Sequence, residues 1–209
     1  MPNPASPIIP PESPAWRRRK QDRPTEIIAA ARAMLEAKGL SGVSMARIAS
    51  RAKVSEALVY RYFDSKQALI NQVLTEWAEP FIARLLSRLE EASTGREKLV
   101  LIAISYLRGM DDTPRLHRVF YQELRWQDYA GSPLHKLNRR FANTVVEAIA
   151  AGVESGEFRA DLDAQMVRDM LFGGLEHIAM RTSLAGKPVD VDAQARNFVN
   201  TLITGLGES

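Results

Sequence analysis

Residues 44–63 read SMARIASRAKVSEALVYRYF, a pattern of two short helices separated by a tight turn. Ser44 and Ser55 stand where N-cap hydroxyls would begin the two helices. Ile48 in the first helix and Val59 in the second belong to apolar stripes that would pack the helices together. Two short helices at this spacing are typical of a DNA-reading helix-turn-helix, whose second helix enters the major groove.

The outward side of this motif supplies the candidate DNA contacts. A short helix with small residues near its N-terminus can reach base edges in the groove, so we predict that Glu56, Ala57 and Arg61 read bases. Hydroxyl, phenol and ammonium groups near helix starts bind phosphate oxygens well. The predicted phosphate contacts are Ser44, Ser55, Tyr60, Tyr62 and Lys66, and the predicted DNA-binding set is completed by Met45, Arg47 and Lys53.

Charge is distributed unevenly along the 209 residues. Residues 1–66 contain 12 Lys and Arg against 6 Asp and Glu, whereas residues 67–209 contain 16 against 19. A basic front end on a mildly acidic body suits a nucleic-acid partner for the front end only, and a solubilising basic tail is the alternative. The Pro-rich residues 1–21 are predicted to be disordered. The basic run 17–20 either contacts DNA or is solvated.

From residue 24 onward, apolar residues recur with helical spacing and show no sustained alternation of the strand type. Capping residues mark helix starts, as at Thr94 with Glu97 three residues later. Pro80 is expected to kink or break the long helix that follows the motif. The predicted fold is all-α and has three parts: a disordered tail (1–21), a three-helix bundle with the helix-turn-helix (22–68) and a six-helix domain (69–209).

Several function classes find no support in the sequence. The chain has no cysteine, which excludes disulfides, thiolate metal sites and cysteine nucleophiles. Its three histidines, His117, His135 and His177, lack metal-ligand spacing, and no Gly-rich phosphate loop or nucleophile elbow occurs. No apolar run is long enough for a membrane helix, and no secretory signal is present. We therefore expect a cytoplasmic, nucleoid-associated protein that is not an enzyme and uses no metal or cofactor.

The block from Gly39 to Leu69, GLSGVSMARIASRAKVSEALVYRYFDSKQAL, resembles the DNA-binding domain of the TetR/AcrR family of bacterial regulators. The family has a Gly before the first short helix, a Thr or Ser opening it, Ile-Ala inside it and Val-Ser at the turn. A Tyr-x-His/Tyr-Phe group and Ser/Asn-Lys-x-x-Leu follow. The matching positions here are Gly39, Ser44, Ile48-Ala49, Val54-Ser55, Tyr60–Phe63 and Ser65–Leu69.

The resemblance implies that the helices after the motif form an effector-sensing domain. An apolar cavity with a few polar groups would bind the effector; the alternative is an ordinary core with satisfied polar side chains. The candidate lining residues are Phe81, Tyr106, Met110, Phe120, Glu123, Leu124, Arg125, Trp126, Phe172 and His177. Segments 115–126 and 156–163 look similar to members that sense a fatty acyl-CoA or a related apolar acid.

The resemblance also implies a homodimer formed through the last two helices, which would read a palindromic operator on double-stranded DNA. The chain is then expected to be a ligand-responsive repressor whose small apolar effector shifts the fourth helix. The alternative is a DNA-binding structural factor without an effector, which would share the first sixty residues.

Two positions depart from the family pattern. Lys53 stands where the family usually has Gly, and a left-handed residue other than Gly costs about 1 kcal/mol. Lys53 also adds a charge that can reach phosphate. Glu56 is unusual in a groove lined by phosphates, and it either accepts a hydrogen bond from a cytosine amine or points away. We expect DNA recognition to differ most from that of relatives at these two positions.

Overall fold

The structure, a computed structural model, describes residues 14–185 and 190–204, and these form ten α-helices and no strand. The helices are α1 (Pro14–Lys38), α2 (Met45–Ala52), α3 (Glu56–Tyr62), α4 (Lys66–Glu91), α5 (Gly95–Asp112), α6 (Pro114–Arg118), α7 (Trp126–Tyr129), α8 (Pro133–Glu154), α9 (Ala164–Ala185) and α10 (Val191–Thr204). A short 3-10 helix, Leu40–Gly42, precedes α2, and a π-helical turn, Val119–Glu123, follows α6. None of these helices is long and apolar enough to cross a membrane.

The first hydrophobic core lies between α1, α2, α3 and the start of α4. Ile27 of α1, Ile48 of α2, Val59 of α3 and Leu69 of α4 have no exposed surface. Buried side chains from the second half of the chain complete this core: Leu116, Val119, Phe120, Leu124 and Leu134. The DNA-binding unit therefore shares its core with α6 and the turn that follows it, and α1 is the helix of this unit that contacts α6.

The second core is built around α5, which packs against α4, α8, α9 and α10. Thr94 and Glu97 form the predicted capping box at its start. The carboxylate of Glu157, in the loop after α8, accepts further hydrogen bonds from the amides of Gly95 (2.6 Å) and Arg96 (3.0 Å). The N-terminus of the central helix is thus satisfied by local and distant groups together, which fixes its position in the bundle.

Helix α1 begins at Pro14, so residues 14–21 are helical where the sequence analysis expected disorder. Arg, Lys, Gln and Ala favour helix, and proline is tolerated at the first helical position because its missing amide would be unpaired there. Only residues 1–13 of the expected disordered tail remain, and they lie outside the described residues.

The part of the chain after residue 65 contains seven described helices, whereas six were predicted. The additional helix, α7, has a single turn, too short to leave a periodic pattern in the sequence. Pro80 does not break α4, which continues unbroken from Lys66 to Glu91. The buried neighbours Ala78 and Ile82 anchor both sides of the proline in the core, which offsets the one lost hydrogen bond.

Candidate DNA-binding and effector sites

Helices α2 and α3 form the predicted helix-turn-helix. The Ser44 hydroxyl accepts a hydrogen bond from the amide of Arg47 (3.3 Å), and the Ser55 hydroxyl accepts one from the amide of Leu58 (3.2 Å). Both N-caps are therefore confirmed. At the turn, Lys53 has φ 55° and ψ 44°, and it is the only non-glycine with a positive φ in the described ranges. The left-handed turn expected at this position is present without a glycine.

Lys53→Gly is expected to raise the free energy of unfolding by about 1 kcal/mol relative to Lys53→Ala, because glycine adopts the left-handed region without a Cβ penalty. Both variants lose the same ammonium, so their difference isolates the backbone. Chemical denaturation of the two proteins measures it. A glycine variant no more stable than the alanine variant would contradict a strained turn.

Most of the predicted DNA contacts share the outer side of this motif. The exposed members of the set are Arg47, Lys53, Ser55, Glu56, Ala57, Tyr60, Arg61 and Lys66. Tyr60 keeps 50% of its surface exposed, which is unusual for a large aromatic side chain in a well-packed domain. We name the outer face formed by Lys53, Glu56, Tyr60 and Arg61 the recognition surface. Its shape suits insertion into a groove.

Met45 and Tyr62 are not exposed, and the exposed Lys66 already has a hydrogen-bond partner within the chain. Met45 is 4% exposed and packs in the first core, because the first turn of α2 faces inward at this position. A DNA contact by its side chain is therefore wrong, and only its backbone amide faces the helix end. Tyr62 is half-buried against the same core. The Lys66 ammonium donates a hydrogen bond to the Val43 carbonyl (3.3 Å), tying α4 to the segment before α2. Phosphate contacts by Tyr62 and Lys66 stay predictions.

A cavity of about 280 Å³ lies between α4, α5, α8 and the segment comprising α6 and the π-helical turn. We call residues 114–123 the coupling segment. The cavity walls are largely aromatic and aliphatic, as in sites for small apolar ligands. Apolar lining residues include Trp77, Phe81, Phe120, Leu137 and Phe141. Arg32 of α1 also lines the cavity, so it borders the DNA-binding unit as well as the bundle.

Of the ten residues predicted to line such a cavity, the structure brings three to its wall: Phe81, Tyr106 and Phe120. Phe172 packs behind the wall, with its ring 5.3 Å from that of Phe141. Met110 lines a separate pocket beside α9. The side chain of Trp126 lies outside the described residues.

Four of the predicted lining residues are elsewhere, so a cavity role for them is wrong. Leu124 is buried in the first core, because it follows the π-helical turn on its inner side. Arg125 is 71% exposed and pairs with Asp128. His177 is exposed on α9. Glu123 points away from the cavity to the start of the helix-turn-helix, where it has a different partner.

The Glu123 carboxylate joins the coupling segment to the DNA-binding unit. Its Oε2 accepts a hydrogen bond from the Leu40 amide (2.7 Å), and its Oε1 lies 3.4 Å from Nη1 of Arg115. The guanidinium of Arg115 lies against Gly39, where any Cβ would collide with it. Gly39 also has φ +66°, a conformation that favours glycine. These contacts hold the chain immediately before α2, and we call them the Glu123 latch.

Of the polar cluster at the inner wall of the cavity, only Tyr106 was predicted from the sequence. The rings of Tyr106 and Tyr121 lie 5.0 Å and 4.5 Å from that of His117. Glu176 of α9 accepts hydrogen bonds from the Tyr106 hydroxyl and from Nε2 of Gln122 (2.7 Å). Positions 117, 120 and 121 share one helical face, so their spacing around the predicted Phe120 was a usable signal.

Burial sets the protonation of this cluster. Burial lowers the pKa of His117 to about 4, although the carboxylate of Glu176 opposes this shift. Burial also raises the pKa values of Tyr106 and Tyr121. At neutral pH the imidazole and both phenols are therefore uncharged, and the cavity wall presents neutral hydrogen-bonding groups.

Comparisons with known proteins agree with this architecture. A family model described as bacterial regulatory proteins, tetR family, matches residues 27–73. A second, described as YsiA-like protein, C-terminal region, matches residues 70–205. The fatty acid metabolism regulator protein of Bacillus subtilis is 25% identical over 190 residues, covering 90% of this chain and 98% of that protein. The transcriptional repressor KstR2 of Rhodococcus jostii is 22% identical over 193 residues, covering 90% and 92%.

Solved structures show the same fold. FadR from Bacillus halodurans superposes with a TM-score of 0.75 at 23% identity, covering 90% of this chain and 97% of that one. FadR from Bacillus subtilis, solved in complex with stearoyl-CoA, superposes with a TM-score of 0.73 at 24% identity, covering 88% and 99%.

The helix-turn-helix, its exposed recognition surface and these matches define a DNA-binding transcriptional regulator. The two family matches extend over nearly all of the described chain. The chain belongs to the TetR family.

Proposed function

We propose that this protein is a repressor that binds a palindromic operator as a homodimer and leaves it when a small apolar effector fills the cavity. The observation that carries this proposal is the position of the coupling segment. Phe120 lines the cavity, and three residues later Glu123 holds Leu40 at the entrance to the helix-turn-helix. An effector that moves this segment would also move the start of α2.

The dimer is proposed to form through α9 and α10. Met166, Met170 and Met180 of α9 are the large apolar side chains with 57%, 53% and 42% exposed surface. They lie on one face of the helix, because their spacing follows the helical repeat, and Gly173 between them leaves that face open for close approach. A stripe of this kind is typical of a surface that another molecule covers.

The same segment would report the effector to the proposed dimer interface. Gln122 donates its hydrogen bond to Glu176, which stands on α9. Helix α4 offers a parallel connection, because Phe81 lines the cavity while Leu69 and Ile70 of the same helix belong to the first core. An effector that favours one arrangement of these contacts over another would change operator affinity by its differential binding free energy.

The effector is proposed to be a fatty acyl-CoA or a related apolar acid. The aromatic cavity walls and the stearoyl-CoA bound by the Bacillus subtilis relative support this class. A DNA-binding structural factor without an effector is the second candidate, and it would leave the cavity without a role. On the proposed function the protein acts at the nucleoid in the cytoplasm and catalyses no reaction.

Fluorescence anisotropy on the upstream DNA of the protein's own gene tests the proposal, with acyl-CoA thioesters of increasing chain length as probes and coenzyme A as the control. We expect nanomolar-range operator binding and a loss of at least about tenfold in affinity at saturating acyl-CoA, as is usual for allosteric coupling. DNA binding that no acyl-CoA or fatty acid alters would favour the structural factor.

A further inference from the structure

His117 is a buried histidine whose hydrogen bonding is incomplete. It is 4% exposed and lines the cavity, and its Nε2 has no hydrogen-bond partner in the described part of the chain. A buried polar atom without a partner lowers stability, so its presence in a core calls for a compensating role. A cavity ligand is the group that could supply the missing partner.

Two polar groups near His117, the Tyr106 hydroxyl and the Gln122 amide, are already bonded to Glu176. The Glu176 carboxylate accepts from Tyr106 through one oxygen and from Gln122 through the other. The rings of Tyr106 and Tyr121 pack against the imidazole on two sides and hold it in the wall. His117 therefore adds one unpartnered, buried ring nitrogen to the wall beside the cavity, and a ligand in the cavity can bond to this nitrogen after a small turn of the ring.

The charge around this position argues against an anionic ligand group. Burial keeps His117 uncharged at neutral pH, since its pKa is about 4. The charged residues that line the cavity are balanced, two of each sign: Arg32, Arg84, Glu76 and Asp112. Of the two cations, Arg32 already pairs with Glu36 at 2.9 Å. Arg84 is exposed on α4, whereas a carboxylate bonded to the buried, uncharged imidazole of His117 would lose its hydration without a charge on that ring to offset the loss.

We propose that His117 is the polar anchor of the cavity, and that the cavity prefers an apolar molecule carrying one uncharged hydrogen-bonding group, a hydroxyl or a carbonyl, over a free carboxylate of the same chain length. This inference rests on the proposed effector role of the cavity and narrows the chemistry of its occupant. A hydroxyl can bond to either tautomer of the neutral imidazole, because it both donates and accepts hydrogen bonds.

Isothermal titration calorimetry of the full chain with n-decanol and with decanoate tests this selectivity. We expect wild type to bind the alcohol at least about tenfold more tightly than the acid, the effect of one buried hydrogen bond together with the unfavourable burial of a carboxylate. His117→Phe keeps an aromatic ring but removes both nitrogens, and it should weaken decanol binding about tenfold while changing decanoate binding by less than about twofold. His117→Gln retains a hydrogen-bonding group and should keep most of the alcohol affinity.

Phe81→Leu is the matched control, because Phe81 lines the same cavity without a polar atom and should weaken both probes alike. A thermal melt of unliganded His117→Phe gives a second reading: an unchanged or raised melting temperature supports the anchor, and a marked drop with unchanged decanol affinity shows a structural role instead. The ratio of decanol to decanoate affinity is measured on wild type, so it tests the proposed selectivity even where a variant fails to fold.

Equal or stronger binding of decanoate, or no binding of either probe by wild type, would overturn the inference. The operator assay remains separate from this measurement. Alcohol binding that depends on His117, together with operator binding that no acyl-CoA or fatty acid alters, would contradict the proposed repressor function and leave the anchor standing.

Discussion

Arg61→Ala is expected to weaken operator binding on the order of 100-fold. Arg61 is exposed on the outer face of α3 and is proposed to read bases from the groove. A lost arginine contact costs about 1–3 kcal/mol, and a dimer loses it twice. Anisotropy titrations on the operator and on a scrambled duplex of equal length would measure the effect at a fixed salt concentration.

The two duplexes also separate the possible roles of the side chain. A base-reading arginine lowers affinity for the operator much more than for the scrambled duplex, whereas a phosphate contact lowers both equally. Arg159→Ala is the matched control, since Arg159 is 72% exposed in the loop after α8, outside the helix-turn-helix. Operator affinity of Arg61→Ala equal to that of Arg159→Ala would remove Arg61 from the recognition surface.

Glu123→Ala is expected to lower the free energy of unfolding by about 2 kcal/mol and to abolish effector-driven release of DNA. The substitution leaves the Leu40 amide and the Arg115 guanidinium without their acceptor in a partly buried site. Without the latch, movement of the coupling segment no longer reaches the chain before α2. Denaturant titration gives the first quantity, and anisotropy with saturating acyl-CoA gives the second.

Two companion variants define what the latch contributes. Glu123→Gln keeps an oxygen for the Leu40 amide and loses the charge, so its stability should lie between those of wild type and the alanine variant. Asp192→Ala removes a shorter pair with Arg108, at 2.8 Å, but that pair is about half exposed and should contribute less than about 1 kcal/mol. Full acyl-CoA response in Glu123→Ala would show that α4 alone transmits the signal.

The helix-turn-helix could be predicted from sequence because it is built from local rules. Ser44 and Ser55 cap helices that begin one residue later, and Lys53 lies at the turn between them. Each of these features depends on neighbours within a few positions. The inward orientation of Met45 follows from the same helical pattern, so including its side chain among the DNA contacts was inconsistent with that pattern.

The effector site was predicted less well, because its wall is assembled from distant segments. Glu123 and His177 looked alike in sequence, as single polar residues within apolar stripes. The partner of Glu123 is an amide 83 residues earlier, and no local pattern announces such a pairing. The sequence prediction for His117 was only that it lacks metal-ligand spacing. Its spacing from Phe120 places both residues on one helical face, and both line the cavity.

The first core joins the DNA-binding unit to side chains from residues 116–134, so the DNA-binding unit is not a separable module. A fragment that ends at residue 68 would lack Leu69 and Ile70, and also the side chains that α6 and its following turn insert between α1 and α4. A chimera that joins this DNA-binding unit to the effector domain of another protein must therefore retain residues 114–134 or provide a surface of the same shape. We therefore expect that operator specificity is changed more easily by substitutions on the exposed side of α3 than by exchange of the whole DNA-binding unit.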